Sequence, residues 1–183
     1  MGWMSFSMHK PVKEWFKENM NDNLEVLDIA IVKRNTLYSA IRVKASNEVF
    51  CVVYLLRWSK GAYNFSYKSM DEFAGPNEIE CPLRIMKLLT PLNDTNDVNG
   101  WARNWRDKVY KHWDTQKKIN SGKFIIKTET PVNFRNGLSF SYFKKIGKKL
   151  FAGSLQVNGI FAPYCPVHFN LKYRKYELIE SNI

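Results

Sequence analysis

Three groups of residues in this 183-residue chain are of types, and at spacings, that carry chemistry. The first is acidic: Asp71, Glu72, Glu78 and Glu80 fall around Gly75-Pro76. Paired carboxylates hold Mg²⁺ for phosphodiester chemistry, which makes Asp71 and Glu72 the catalytic candidates of a metal-dependent nuclease or other nucleic-acid-modifying enzyme. The same side chains also make turn hydrogen bonds, cap a helix opened by Cys81-Pro82, or pair with local Lys and Arg, and nothing in the spacing fixes a two-metal geometry. The local reading is preferred. The second group is Cys165-Pro166-Val167-His168, a Cys-x-x-His half-site. A structural zinc wants four ligands at paired spacings, so Cys81 and His9 or His112 would have to complete it through folding. A turn at Pro166 beside a small buried thiol is simpler, and no metal or other cofactor is assigned.

The third group is basic. Arg103, Arg106, Lys108, Lys111, Lys117 and Lys118 lie close together, opposed by Asp107 and Asp114. Arg135 follows, then Lys144, Lys145, Lys148 and Lys149, with no acid between Thr130 and Leu171; Lys172, Arg174 and Lys175 come next. Tyr142, Phe143, Tyr164, Tyr173 and Tyr176 are interleaved with these cations. Cations that meet phosphates beside aromatic faces that stack on bases are what single-stranded or irregular nucleic-acid sites use. Taken one at a time, each Lys reads equally as a solvated face and each aromatic as core. Taken together they predict a polyanion-binding surface, because the charge is uneven: Met1–Pro91 carries 12 Lys+Arg against 10 Asp+Glu, and Leu92–Ile183 carries 16 against 7. Charge needed only for solubility has no reason to gather in one half.

Other chemistries find no foothold. His9, His112 and His168 sit in no nucleophile elbow, and the sequence contains no Gly-x-Ser-x-Gly, HExxH, GxxxxGK[ST] or GxGxxG pattern. No stretch approaches the ~20 apolar residues of a spanning helix. The start Met1-Gly2-Trp3-Met4-Ser5-Phe6 lacks a basic region followed by an apolar run, and Cys51, Cys81 and Cys165 are odd in number and widely spaced. Reduced thiols in a cytosol and no membrane partner are the expectation.

The elements that must position these residues follow from periodicity. Val12, Trp15, Phe16 and Met20 share one helical face behind Pro11. Leu24–Lys33, Thr36–Lys44 and Glu48–Trp58 are rich in β-branched and aromatic residues with short polar breaks, predicting a meander of antiparallel hairpins. The nearly unbroken apolar run Val49–Leu56 predicts a central strand covered on both faces. Tyr63–Tyr67 is a shorter strand, and Pro82–Leu89 a short helix stopped by Thr90-Pro91. Trp101, Trp105, Val109 and Trp113 recur every four residues, predicting a helix over Trp101–Ile119 with one buried stripe and Asn99 as its cap. Lys123–Thr128 and Leu138–Ile146, joined through Asn136-Gly137, open a second β region, with further short strands at Leu155–Val157, Ile160–Phe161, Phe169–Tyr173 and Tyr176–Ile179. The expected fold is α+β: an N-terminal helix, an antiparallel β-meander, two central helices, and a C-terminal small β-barrel or curled antiparallel sheet. Its regions are 1–92, helix plus meander, and 93–183, basic helix plus second sheet, either separate or integrated into one domain.

The start Met1-Gly2-Trp3, the block from Tyr63 to Glu72 with Gly75-Pro76, the run Cys81-Pro82 to Thr90-Pro91, and Ala102-x-x-Trp105-Arg106 resemble, in that order, an uncharacterised family from phages, plasmids and conjugative elements of Firmicutes. The resemblance carries over no catalytic residue. It implies a mobile-element context in a bacterial cytosol, where small proteins often act as counter-defence factors such as anti-CRISPR proteins. Inhibitors that mimic DNA are acidic, and this chain has the opposite sign. The leading expectation is therefore a non-enzymatic nucleic-acid or ribonucleoprotein binder, inhibiting a host defence nuclease such as a CRISPR effector. The alternatives are the Asp71/Glu72 enzyme and a protein–protein adaptor using Trp101, Trp105 and Trp113 as an interface.

Overall fold

The computed structural model describes residues 3–6, 22–32, 36–59, 62–68, 79–172 and 174–181. The helix expected behind Pro11 and the Asp71/Glu72 loop lie outside them. The chain is mostly strand, with two antiparallel sheets, and it divides into two compact units, Met1–His112 and Trp113–Ile183.

In the first unit the β-branched runs form strands β2 (Leu24–Val32), β3 (Thr36–Val43) and β4 (Val49–Ser59), followed by β5 (Ala62–Lys68); β1 (Trp3–Phe6) pairs with β5. The order is β1-β5-β4-β3-β2. The expected three-strand meander, β2-β3-β4, is present, and β4 stands at the centre of the five-stranded sheet. Cys51, Val52 and Val53 are buried in succession, as are Leu37 to Ile41 in β3. Consecutive residues of a strand point to opposite faces, so both faces of the sheet are covered here. At the edge, Arg42 and Glu25 are register partners and form an ion pair. The helix expected over Pro82–Leu89 is one turn, α1 (Leu83–Met86), continued by three-residue turns that bury Leu89. Thr90 then docks the chain on β4: its N–H donates to the Val49 carbonyl at 2.9 Å, and its hydroxyl accepts from Val49 N–H at 2.7 Å.

The long helix α2 spans Trp101–Asn120, as the fourfold spacing predicts. Its buried stripe in the first unit is Ala102, Trp105 and Val109, whereas Trp101, at the first helical position, is 51% exposed. The cap is Asp97 rather than Asn99. Its two carboxylate oxygens accept the backbone N–H groups of Ala102 and Arg103 at 3.1 and 3.0 Å, satisfying donors that the first helical turn leaves open.

The second unit holds β6 (Phe124–Asn133), β7 (Ser139–Ile146), β8 (Lys149–Leu155), β9 (Phe161–Val167) and β10 (Tyr176–Glu180), in the order β10-β6-β7-β8-β9. The ladder runs open from β10 to β9, with no β9–β10 pairing among the described residues to close a barrel. Phe169–Leu171, expected in a strand, belong to none, while the short strands expected at Leu155–Val157 and Ile160–Phe161 give way to the longer β8 and β9. Pro163 and Pro166 fall in β9, an edge strand, where a missing N–H is tolerated. One face of the sheet buries Ile126, Phe143 and Ala152 against Ile119 from the end of α2, and Phe169 packs on Phe143 with ring centroids 4.5 Å apart.

Between β8 and β9 the register shifts at Ala152/Gly153, and Tyr164 is the extra residue of the bulge, 69% exposed. Gly153 is required there: a Cβ on it would lie 2.1 Å from the Ala162 carbonyl oxygen and 2.9 Å from the Ala162 carbonyl carbon. Backbone cannot yield as a side chain can. Gly153→Ala is therefore expected to destabilise the second unit by about 3 kcal/mol or more, beyond the ordinary range for a single overpacked methyl. Denaturant unfolding checks this; a loss under 1 kcal/mol would show that β9 shifts freely.

Candidate nucleic-acid interface

The second unit carries 12 Lys+Arg against 4 Asp+Glu, a net +8. The turn between β7 and β8 organises its cations. Ile146 pairs with Lys149, leaving a two-residue turn, Gly147-Lys148, opened by Gly147 at φ 62°. Glycine adopts that conformation without strain. The register then sorts the lysines by face: Lys145 is opposite Leu150, on the same side as Phe143 and Ala152, while Lys144 falls on the other side. There Lys144 Nζ donates to Ser181 Oγ at 3.2 Å.

The end of α2 meets this hairpin. Gly122, at φ 72°, closes the helix, its N–H donating to the Ile119 carbonyl at 3.2 Å. A side chain there would press on the Lys145 carbonyl oxygen, 3.1 Å from the Cβ position. Lys145 Nζ in turn donates to Asn120 Oδ1 at 2.6 Å. Between them lies an open cleft of about 700 Å³. Its floor is apolar: Ile119, Leu150, Val167, Phe169 and Leu171, all part of the core cluster or packed on it. Its rim is Lys145, Lys148, Lys149 and His168, with the amides Gln116 and Asn120. No carboxylate lines it among the described residues. Lys148, Lys149 and His168 are exposed and have no hydrogen-bond or ion-pair partner among the described residues. A second concavity, about 540 Å³, is lined by Arg174, Lys175, Asn170, Thr130 and Glu129; the Arg174 guanidinium stands 5.8 Å from the Phe169 ring centroid.

The other expected binding residues have different surroundings. Arg103 is held by Asp94 at 2.9 Å and by Asp97 at 3.1 Å, both within the first unit. Arg106 is half-buried, donating from Nη1 to the Thr90 carbonyl at 2.6 Å, with its Nε buried and unpartnered. Burial lowers its pKa, against the opposing influence of Cys51, Tyr110 and Asp97. Lys108 and Lys111 are exposed on α2, as is Lys117; Lys118 pairs with Asp114 at 3.1 Å and stands 6.0 Å from the Phe124 ring centroid. Arg135 and Lys172 are exposed in loops. Of the interleaved aromatics, Phe143 is core, Tyr142 and Tyr176 are half-buried, and Tyr164 is exposed; Tyr173 lies outside the described residues.

Cys165 is half-buried against the core, and Pro166 continues β9 rather than making a turn. Among the described residues no group of three or more His, Cys, Asp or Glu is placed to hold a metal ion. Cys81 is buried with Cys51 as its hydrogen-bonding neighbour, which together with burial pushes its thiol pKa up. Trp105, one of the three expected interface tryptophans, is core. No helix among the described residues is long and apolar enough to cross a membrane.

Gln116, Asn120, His168 and the apolar floor are the cleft residues that charge patterning passes over. His168 carries the one sequence signal, as half of the Cys-x-x-His pair. No family model matches the chain, and no curated protein or solved structure matches it either.

Asp97 is the carboxylate with the sharpest consequence for pH. Burial alone would raise its pKa, but the N–H groups of Arg103 and Ala102 and the Arg103 guanidinium outweigh burial and hold it below the ordinary 3.8. A depressed carboxylate stabilises the fold fully above its unfolded value, and the contribution is lost as pH falls through the lowered one. Asp97→Asn is expected to flatten the acid limb of a stability–pH profile below about pH 4, and Asp97→Ala to cost about 1–2 kcal/mol at neutral pH, as loss of a helix cap does. Thermal unfolding of both variants between pH 3 and 7 checks it; unchanged profiles would remove Asp97 as the cap.

Proposed function

We propose that this chain is a non-enzymatic nucleic-acid-binding protein, engaging a polynucleotide that is free or carried by a ribonucleoprotein such as a CRISPR effector. The observation that carries the reading is the gathering of Lys145, Lys148, Lys149 and His168 around one cleft that no described carboxylate lines, in a unit of net +8. Phosphate backbones supply most of the non-specific affinity of such proteins through lysine and arginine. The apolar floor beside the cations suits bases, whose π-faces stack without regard to sequence. The net positive sign argues against mimicry of DNA and for contact with it. The mobile-element resemblance fits this chemistry, inhibition of a defence nuclease being one use of a polynucleotide-binding surface.

The reading locates affinity in the cleft cations rather than in Arg103 and Arg106, whose guanidinium groups already serve the first unit. In anisotropy titrations of the full chain with a mixed-sequence single-stranded oligonucleotide, affinity is expected to fall with a log–log salt slope of about −1.4, from the phosphate contacts of Lys148 and Lys149 at ~0.7 each. The triple variant Lys145→Glu, Lys148→Glu, Lys149→Glu is expected to lose at least about tenfold in affinity. Lys144→Glu, on the opposite face, is expected to lose much less. Salt-independent association, or full affinity in the triple variant with an unchanged melting curve, would refute the reading.

A further inference from the structure

We infer that the cleft takes a single unstacked nucleotide, so that the chain selects single strands or unpaired ends over duplex; the inference rests on the polynucleotide reading above. Four features of the cleft converge on it.

The first is shape. At about 700 Å³ the cleft lies within the range of small-molecule sites, roughly 300–1,000 Å³. A duplex is a rod whose stacked bases offer only their edges, at the bottom of grooves. It can touch the rim of a concave site but has nothing to put inside. An unpaired base has two free faces and can leave the strand.

The second is the floor. Leu150 and Val167 are register partners on the core side of the sheet, and with Phe169 and Leu171 they are only partly buried. The core thus reaches solvent at this point. Apolar surface of this kind gains from a flat, weakly hydrated ring laid over it, as bases gain on aromatic and aliphatic platforms.

The third is the rim. The ammonium groups of Lys148 and Lys149 are free to meet a phosphate, while Lys145 is committed to Asn120 and fixes the wall. Cations at the mouth with an apolar interior match the polarity of a nucleotide. The fourth is the pair of amides. Gln116 and Asn120 offer both donors and acceptors to whatever lies on the floor. A base edge uses both. An acyl chain uses neither.

The test compares ligands on the intact chain at one salt concentration. A single-stranded oligonucleotide is expected to bind at least about tenfold tighter than a blunt duplex of the same sequence, the scale of one stacked base. Adenosine 5′-monophosphate is expected to displace the single strand at concentrations where inorganic phosphate does not. Gln116→Leu, which removes an amide from the cleft without altering charge, is expected to reduce the preference while leaving duplex binding in place, with melting curves reporting on folding. Equal affinity for both strand forms, together with displacement by phosphate as effective as by the nucleotide, would overturn the inference and leave the proposed function standing. Binding of neither form at low salt would overturn both. Should Gln116→Leu fail to fold, the displacement comparison on the unaltered chain decides.

Discussion

A lysine on the core side of a sheet imposes a boundary. Lys145 follows Phe143 by two residues in β7, so the strand's twofold repeat turns it toward the same side as the fully buried Phe143 and Ala152. An ammonium group cannot follow them into the interior without a heavy desolvation cost. The core of the second unit must therefore end at this residue pair, and Leu150, opposite Lys145, becomes its partly covered margin. The side-chain oxygen of Asn120, at the end of α2, receives the ammonium. The cleft, its cationic rim and its apolar floor all follow from that one placement.

The first unit uses its cations differently. Asp97 gathers two backbone donors and the Arg103 guanidinium at the start of α2, and Arg106 reaches the carbonyl of Thr90, which is itself hydrogen-bonded in both directions to Val49 of β4. These arginines join helix, connecting segment and sheet. A charge that looks like part of a basic face in the sequence is, for Arg103 and Arg106, already neutralised or engaged. For Lys148 and Lys149 no described residue competes.

Much of the architecture was legible because local composition and tertiary role agree. The β-branched runs from Leu24 to Ser59 are strands, their nearly continuous apolar member is central, and the fourfold tryptophan spacing marks α2. Legibility failed where the two conflict. No strand is expected from Gly147 to Ser154, yet β8 forms there, and it needs a glycine because β9 approaches position 153 too closely for a side chain. Pro163 and Pro166 argue against a strand until the strand is known to be an edge. The capping role of Asp97 was hidden by its distance from the helix start, although Asp94 and Asp97 lying just upstream of Arg103 were the signal that this arginine has local partners. The cleft itself could not be read, since Gln116 and His168 meet through folding across some fifty intervening residues.

The bulged, proline-bearing margin at β9 limits what the sheet can recruit. An incoming strand extends a sheet by pairing amide N–H with carbonyl groups in sequence along the rim, and here Pro163 and Pro166 have no N–H to offer, while Tyr164 breaks the repeat between them. A rim that cannot zip on its β9 side closes one route by which copies of a sheet fuse into a fibre.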